Sequence, residues 1–512
     1  MVTLDGTHLD LETIGRVALR REPVQLAPAA VERLARSARM VDALIQQGAK
    51  VYGVTTGVGE LRTVVIPPES RRDLQVNILR SHAAGVGPHL SEAETRAVVL
   101  LRINSFLHGH SGVRPETVAA LVRLLNSRVY PAIPEQGSLG ASGDLAPLAH
   151  LGLVLIGEGE AYVDGRLVPG AEALAAAGLA PLSLGPKEGL ALINGTQVMT
   201  GIGALVCRQA MELLAWADAA ASLTLEALRG NVSAFDPRIH RLRPHPGQAR
   251  TAARVRGLTR GSSRLQPYDP AGVQDAYSLR CVPQVHGAVW DVAAHVRAVL
   301  EREANAVTDN PLLFPKDGDV LNGGNFHGSP VAMSMDYLVI GLAELAAISE
   351  RRIERLVNPH LSGLPAFLVK ESGLNSGYML AQYTAAALVS ENKALAHPAS
   401  VDSIPSSANQ EDHVSMGPIA ARKARAIFAN CRRVIAIELC CAAQAVDLSG
   451  GPESLGEGTK VLYELVRTAV PPLLADRVPA KDIAAAEGLL MDEDAAARLA
   501  AWLNVDPDDA HP

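Results

Sequence analysis

A tripeptide in the first third of the chain has the residue types for a ring closure on its own backbone. It is Ala141-Ser142-Gly143, within Gly137-Ser138-Leu139-Gly140-Ala141-Ser142-Gly143-Asp144. Attack of the Gly143 nitrogen on the Ala141 carbonyl carbon, with loss of one water, gives a five-membered imidazolone. Loss of the Ser142 hydroxyl as a second water leaves an exocyclic methylidene, an electrophile that no side chain provides. Ring closure needs a sharply bent backbone with small side chains, and rigid neighbouring structure that keeps the backbone strained.

Two other interpretations fit the same tripeptide. It could be a Gly/Ser turn that leads into a helix, with Asp144 near the helix N-terminus. It could also be a hydrolase nucleophile, but the Gly-x-Ser-x-Gly pattern lacks its final glycine because Asp144 stands there. The rest of the chain has to decide between them.

The elements that must position this loop are predicted to be helices. Of the 512 residues, 48% are hydrophobic and only 4% aromatic, a composition that favours packed helices. Periodicity predicts two helical stretches over 8–50, helices over 69–82, 92–108 and 115–127, and a hairpin around the Asp164-Gly165 turn. Longer helices follow at 197–228, 283–305, 330–356, 375–396 and 418–447. Helices of this length, packed side by side, make an elongated bundle.

The predicted fold is therefore mainly α, with minor β hairpins. An N-terminal, mostly helical domain (1–195) carries the Ala-Ser-Gly loop, a long central helix bundle covers 196–470, and a helical tail covers 471–512. The long helices carry more apolar surface than one bundle core uses, which predicts burial between subunits.

Charge and composition limit the kinds of binding partner and the cellular compartment that we expect. The net charge of −7 gives no basic footprint for nucleic acid. The uncharged runs 189–207 and 372–390 contain Gly, Asn, Gln and Thr, which favours buried helix and loop over membrane spans. The N-terminus has no signal pattern, and the five cysteines have no metal or disulfide spacing, so we expect a cytoplasmic protein.

Polar clusters lie between the helices. Tyr52 begins a glycine-rich stretch, 52–59, suited to an active-site lid. His82 ends helix 69–82, where a positive imidazole is favoured even without a catalytic role. Asn194 could cap the following helix or donate to a ligand. Further clusters occupy 274–280, 308–312, 323–328 and 409–413.

Together these clusters resemble the aromatic amino acid lyase family, which contains the histidine and phenylalanine ammonia-lyases. The matching stretches include Tyr52 to Gly59, Ser81-His82-Ala83-Ala84-Gly85, Gly140 to Leu148, Asn194-Gly195-Thr196-Gln197, Gln274 to Arg280, Asp309-Asn310-Pro311, Gly323 to Gly328, His397 to Ser403 and Asn409 to Met416. The resemblance implies a 4-methylidene-imidazol-5-one group (MIO) made from Ala141-Ser142-Gly143, with no external cofactor. It also implies a homotetramer with active sites shared between subunits and non-oxidative loss of ammonia from an L-amino acid.

The resemblance also implies roles for individual residues. Tyr52 looks like the base that removes the β-proton, and its pKa must then lie below the ordinary value near 10. Arg280 is similar to the family's clamp on the substrate carboxylate, a task that suits a planar guanidinium. The resemblance also implies a catalytic role for Glu411. The predicted substrate-binding residues are Ser81, His82, Asn194, Gln274, Tyr277, Arg280, Phe326 and Met379.

Three positions depart from the commonest family pattern. Val58 occupies a position where the family usually has Phe, Glu60 one where Lys is frequent, and His286 one where Met or Leu is usual. Val58 and Glu60 flank the Tyr52 loop, so they bear on its dynamics and slightly on specificity.

The predicted substrate is L-histidine. The residue pairs Ser81-His82 and Gln410-Glu411 are typical of those family members that act on histidine. An imidazole has two ring nitrogens that need partners once buried, and His82 and Glu411 can supply one each.

Three alternatives stay open. The same fold could act on phenylalanine or tyrosine, or carry out a 2,3-aminomutation. An inactive helical scaffold is the third, and the joint presence of Tyr52, Ser142 and Arg280 argues against it. No metal site is predicted, since the spacings of His327, His397, His413 and Glu411 match no ligand motif.

Overall fold

The computed structural model describes residues 1–266 and 274–504. These residues form 20 α-helices and strands of three or four residues, so the prediction of a mainly α fold is confirmed. They group into two compact units. The first unit comprises 1–208, 296–336 and 398–424, and the second comprises the described parts of 209–295, 337–397 and 425–512.

This division differs from the predicted one. The predicted domains were consecutive pieces of chain, whereas each compact unit draws on three separate segments. The cause is the length of the helices. Gln197–Ala227, Ser329–Val357 and Gly417–Leu448 each contribute residues to both units, so no single cut in the sequence separates them.

The five long helices lie close to their predicted positions. Met379–Leu395 differs most, beginning four residues after the predicted start at 375. Residues Ser376 and Gly377 donate their backbone N–H groups to the Asp476 carboxylate, both at 2.8 Å, and Gly377 has a positive φ of 55°. These bonds hold the segment outside the helix. The long helices are Gln197–Ala227, Val282–Ala304, Ser329–Val357, Met379–Leu395 and Gly417–Leu448.

Shorter helices complete both units. In the first unit they are Leu11–Leu19, Pro28–Gln46, Arg71–His82, Glu92–Phe106, Pro115–Asn126, Leu145–Leu155, Gly170–Ala176 and Glu188–Ile193. In the second they are Pro237–Arg241, Pro246–Leu258, Tyr277–Arg280, Pro359–Ser362, Glu457–Ala469, Pro479–Leu489 and Glu493–Leu503. The last two lie in the predicted helical tail, whose final residues, 505–512, fall outside the described part.

Within the ranges that the structure describes, all strands are short and lie in the first unit. Glu160–Val163 and Arg166–Pro169 form the predicted hairpin, with Asp164 and Gly165 at φ 47° and 81° in its two-residue turn. Val129–Pro131 pairs antiparallel with the first strand of this hairpin. The other pairs are Val2–Leu4 with Val24–Leu26 (parallel), Val86–His89 with Pro134–Gln136 and Leu312–Phe314 with Asp319–Leu321 (both antiparallel).

Two helices, Gln197–Ala227 and Ser329–Val357, are long and apolar enough to cross a membrane by length and composition alone. Most of each apolar window is buried within the protein, 72% and 67% respectively. That degree of burial is typical of a core helix.

Candidate active site

The backbone at Ala141-Ser142-Gly143 is bent, and the backbone of a distant segment lies close against it. Ala141 and Gly143 form a β-bridge with each other, and Gly143 forms a second bridge with Gly195. Gly143 has φ 75°, and a Cβ placed on it would lie 2.2 Å from the Gly195 carbonyl oxygen. Only glycine fits there. The loop therefore has the bent backbone and the lack of a side chain at Gly143 that ring closure requires.

Hydrogen bonds from distant segments clamp this loop on both sides. The Met416 N–H donates to the Leu139 carbonyl at 2.9 Å, and the Asp144 N–H donates to the Gly195 carbonyl at 2.7 Å. The Ser138 hydroxyl donates to the Gly143 carbonyl at 3.3 Å. These contacts supply the rigid surround that can hold a strained tripeptide.

Asp144 directly precedes helix Leu145–Leu155, but its carboxylate caps a different helix. Its Oδ2 accepts from the N–H groups of Val198 and Met199, at 2.8 and 3.0 Å, in the first turn of Gln197–Ala227. The side chain is fully buried, and this burial raises its pKa to about 7 against the opposing effect of the two N–H groups. Asp144 thus ties the loop to the start of that long helix.

A cavity of about 860 Å³ opens beside the loop in the first unit. It brings together residues from segments far apart in the sequence, and residues outside the α-helices supply most of its polar groups. The predicted site residues that line it are Tyr52, His82, Ala141, Ser142, Asn194, Phe326 and Glu411. A smaller cavity of about 210 Å³ shares His82, Ala141 and Glu411 with it and is also lined by Ser81 and Gly143.

Glu411 faces the loop directly. The Ser142 hydroxyl donates to Glu411 Oε1 and the Ser406 hydroxyl to Oε2, both at 2.9 Å. Ser407, Ala408 and Asn409, which lead up to it, all have positive φ values, 51°, 51° and 69°. Three consecutive non-glycine residues in the left-handed region store backbone strain, a feature that concentrates at functional sites.

His82 ends helix Arg71–His82, as predicted, and also lines the cavity. Its Nδ1 lies 2.8 Å from the Ile78 carbonyl oxygen. A carbonyl oxygen only accepts, so Nδ1 carries the proton and Nε2 is the nitrogen that remains for another partner.

Tyr52 lies in a loop anchored by buried apolar side chains. Val51 and Val54 pack with Val41 and Leu313. The Gly59 N–H donates to the phenol oxygen of Tyr52 at 2.8 Å, which fixes the ring.

The predicted lowering of the Tyr52 pKa was wrong for the isolated chain. Burial raises the pKa, and the Glu411 carboxylate raises it further. The Gly59 N–H and Arg62 act in the opposite direction. Sequence spacing could not indicate that the phenol would be buried beside a carboxylate.

Four predicted site residues belong to the second unit. Tyr277 is 71% exposed, and the Arg280 guanidinium lies 4.7 Å from the centre of its ring. Gln274 is exposed, and Met379 is the first residue of Met379–Leu395. Among residues 1–266 and 274–504, the lining of the 860 Å³ cavity does not include these four.

The structure adds residues for which the sequence predicted no role. Asn310 lines the cavity, and its carbonyl accepts from Asn194 Nδ2 at 2.9 Å. The rings of His327 and His413, also in the lining, stack at 5.7 Å. In the described part of the chain no group of three or more His, Cys, Asp or Glu side chains is arranged to hold a metal ion. All three residues, Asn310, His327 and His413, stand in polar clusters that the sequence had marked, at 308–312, 323–328 and 409–413.

The fold and the site define a class of protein: a mainly helical protein in which a bent Ala-Ser-Gly loop lines a cavity of about 860 Å³. The model of the aromatic amino acid lyase family matches residues 9–468. The chain therefore belongs to the aromatic amino acid lyases, the family predicted from its motifs, and is an ammonia-lyase.

Relatives and solved structures agree with this assignment. The chain is 56% identical over 480 residues to the histidine ammonia-lyase of Symbiobacterium thermophilum, covering 94% of each chain. It resembles the crystal structure of histidine ammonia-lyase from Trypanosoma cruzi, with a TM-score of 0.90, 43% identity, and coverage of 98% of this chain and 95% of that one. It also resembles tyrosine aminomutase from Streptomyces globisporus, with a TM-score of 0.94, 42% identity and 99% of both chains covered.

Proposed function

We propose that this protein removes ammonia from L-histidine to give urocanate. The observation that carries the proposal is the pair of ring-binding groups, His82 and Glu411, that line the cavity beside Ser142. His82 offers Nε2, and Glu411 offers carboxylate oxygens. Ring closure would remove the Ser142 hydroxyl, which releases the Oε1 that now accepts from it.

This pair discriminates by leaving polar groups unpaired when the wrong ring enters. An imidazolium ring has two N–H donors, one for His82 Nε2 and one for the Glu411 carboxylate, whereas a phenyl ring has none. Each buried polar group without a partner costs about 1–3 kcal/mol. A site built for hydrogen bonds can reject such an analogue by roughly 10⁴-fold.

The residues around the tripeptide fit an MIO group. Gly143 and Gly195 approach too closely for any side chain at Gly143, and the positive φ of 75° at Gly143 bends the tripeptide. Such a group supplies the electrophile that makes the substrate's amine a better leaving group. Tyr52 removes the β-proton, and Arg280 binds the carboxylate through its planar guanidinium.

We also infer a homotetramer whose active sites combine several subunits. Helix Ser329–Val357 exposes Met333, Tyr337 and Ile340, at 63%, 46% and 51%, with the spacing of one helical face. An apolar face of this kind is normally covered in an assembly. Gln274, Tyr277, Arg280 and Met379 would then be contributed by neighbouring subunits. Sedimentation that finds an active monomer at micromolar concentration would contradict this.

The substrate proposal is tested by offering purified protein L-histidine, L-phenylalanine and L-tyrosine separately and following the conjugated product in the ultraviolet. We expect urocanate and ammonia from histidine. His82→Leu should nearly abolish that activity, while His245→Leu, at an exposed histidine of the second unit, should leave it unchanged. Faster formation of cinnamate or coumarate would refute the choice of histidine, and formation of a β-amino acid would refute the deamination, but neither would refute the family.

A further inference from the structure

A fully buried ion pair lies in the first unit and has no part in the chemistry described so far. Lys187 Nζ lies 2.6 Å from Asp309 Oδ2, and both side chains are completely shielded from solvent. Desolvating two charges costs about as much as their attraction returns, so a buried pair is weak evidence of a stabilising role. Its value has to be sought in what it holds in place.

From Asp309 a series of hydrogen bonds leads to the cavity. The second carboxylate oxygen of Asp309 accepts from the Asn310 N–H at 2.7 Å. The Asn310 carbonyl then accepts from Asn194 Nδ2 at 2.9 Å. The Asn310 side chain accepts from the Gly323 N–H at 2.8 Å, which fixes the same residue from the other side.

These bonds decide which end of the Asn194 carboxamide is available. Nδ2 is committed to Asn310, while Oδ1 is buried and has no partner among the residues that the structure describes. The backbone of Asn194 is fixed as well, because its carbonyl accepts from Arg102 Nη1 at 2.9 Å. A carboxamide held by its nitrogen presents its oxygen as an acceptor.

We propose that the Lys187–Asp309 pair positions Asn194 so that its Oδ1 accepts a hydrogen bond from the amino group of the substrate. The amino group is the donor at the α-carbon of an amino acid, and Asn194 lines the cavity beside Ser142. Asn310 transmits the constraint. Lys187 is thus a positioning residue that touches neither substrate nor the modified loop, and this role rests on the proposed function of the cavity.

The test is a double-mutant cycle on the tetrameric enzyme. Lys187→Met with Asp309→Asn removes both charges together and keeps an oxygen for the Asn310 N–H. We expect kcat to fall about 10²-fold, the effect of a misplacement near 1 Å, with a smaller change in KM. In an Asn194→Ala background the same pair of substitutions should lower kcat by no more than about twofold, since the group they position is absent.

Two further variants keep the test decisive. Arg432→Gln with Glu487→Gln neutralises an ion pair of the second unit, whose atoms also lie 2.6 Å apart. This control should leave kcat within about twofold of wild type. Asp309→Glu retains both charges but displaces the carboxylate, so it should lower kcat only when Asn194 is present. It replaces the neutral pair if that pair fails to fold.

Mass spectrometry provides a readout independent of turnover. Every variant should still read two waters below its sequence mass, because the proposed effect is on substrate binding geometry. Equal losses of kcat with and without Asn194, or a loss that follows incomplete ring closure, would overturn the positioning role. The cycle is run with whichever amino acid the wild type deaminates, so an error in the choice of histidine would show in the wild type alone.

Discussion

Substituting Gly143 by alanine tests whether the close approach of two backbones makes ring closure possible. An alanine at φ 75° costs about 1–2 kcal/mol for the left-handed conformation alone. Its Cβ would lie 2.2 Å from the Gly195 oxygen, so the two segments would have to separate by about 1 Å. That separation breaks the bond from the Asp144 N–H to Gly195, now 2.7 Å, at a further cost of about 1–3 kcal/mol.

We therefore expect Gly143→Ala to lower the free energy of unfolding by about 2–5 kcal/mol and to prevent most ring closure. Intact-mass spectrometry should find the full sequence mass, and activity should fall with it. Gly165→Ala is the matched control, because Gly165 also has a positive φ, 81°, but no atom lies within 4 Å of the added Cβ.

The control should lose only the conformational cost of about 1–2 kcal/mol and keep the loss of two waters. The reasoning fails if Gly143→Ala loses both waters as completely as wild type does. It also fails if the two variants are destabilised equally, since the contact with Gly195 would then contribute nothing.

Three further outcomes can be measured. Tyr52→Phe should reduce kcat by about 10²–10⁴-fold with a much smaller change in KM, and near-normal turnover would direct the search for the base to Glu411. Because burial and Glu411 raise the Tyr52 pKa, activity should increase with pH above neutrality. Glu411→Gln should move the rising limb of the kcat/KM profile to lower pH, and Arg62→Gln should move it to higher pH. If neither variant moves this limb, Tyr52 is not the group that titrates in it. Ala408→Gly should raise the free energy of unfolding by about 1 kcal/mol in denaturant titration, since glycine adopts φ 51° without strain, whereas an unchanged midpoint would argue against stored strain.

The sequence alone determined the features that depend on a few neighbouring residues. Helical periodicity placed His82 at the end of Arg71–His82, and Asp164-Gly165 specified a two-residue hairpin turn. The Ala-Ser-Gly loop and the clusters around it identified the family. Each of these signals is local, because backbone conformation and turn geometry are set over a few residues.

Only the tertiary structure decided the contacts between segments far apart in the chain. Asp144 caps a helix whose first turn lies more than fifty residues later, and Lys187 pairs with Asp309, 122 residues away. The direction in which the Tyr52 pKa shifts depends on burial beside Glu411, which residue spacing in the sequence does not indicate. These features depend on which side chains become buried next to each other when distant segments of the chain pack together. Desolvation and pairing are properties of the assembled site, and no single stretch of sequence contains them.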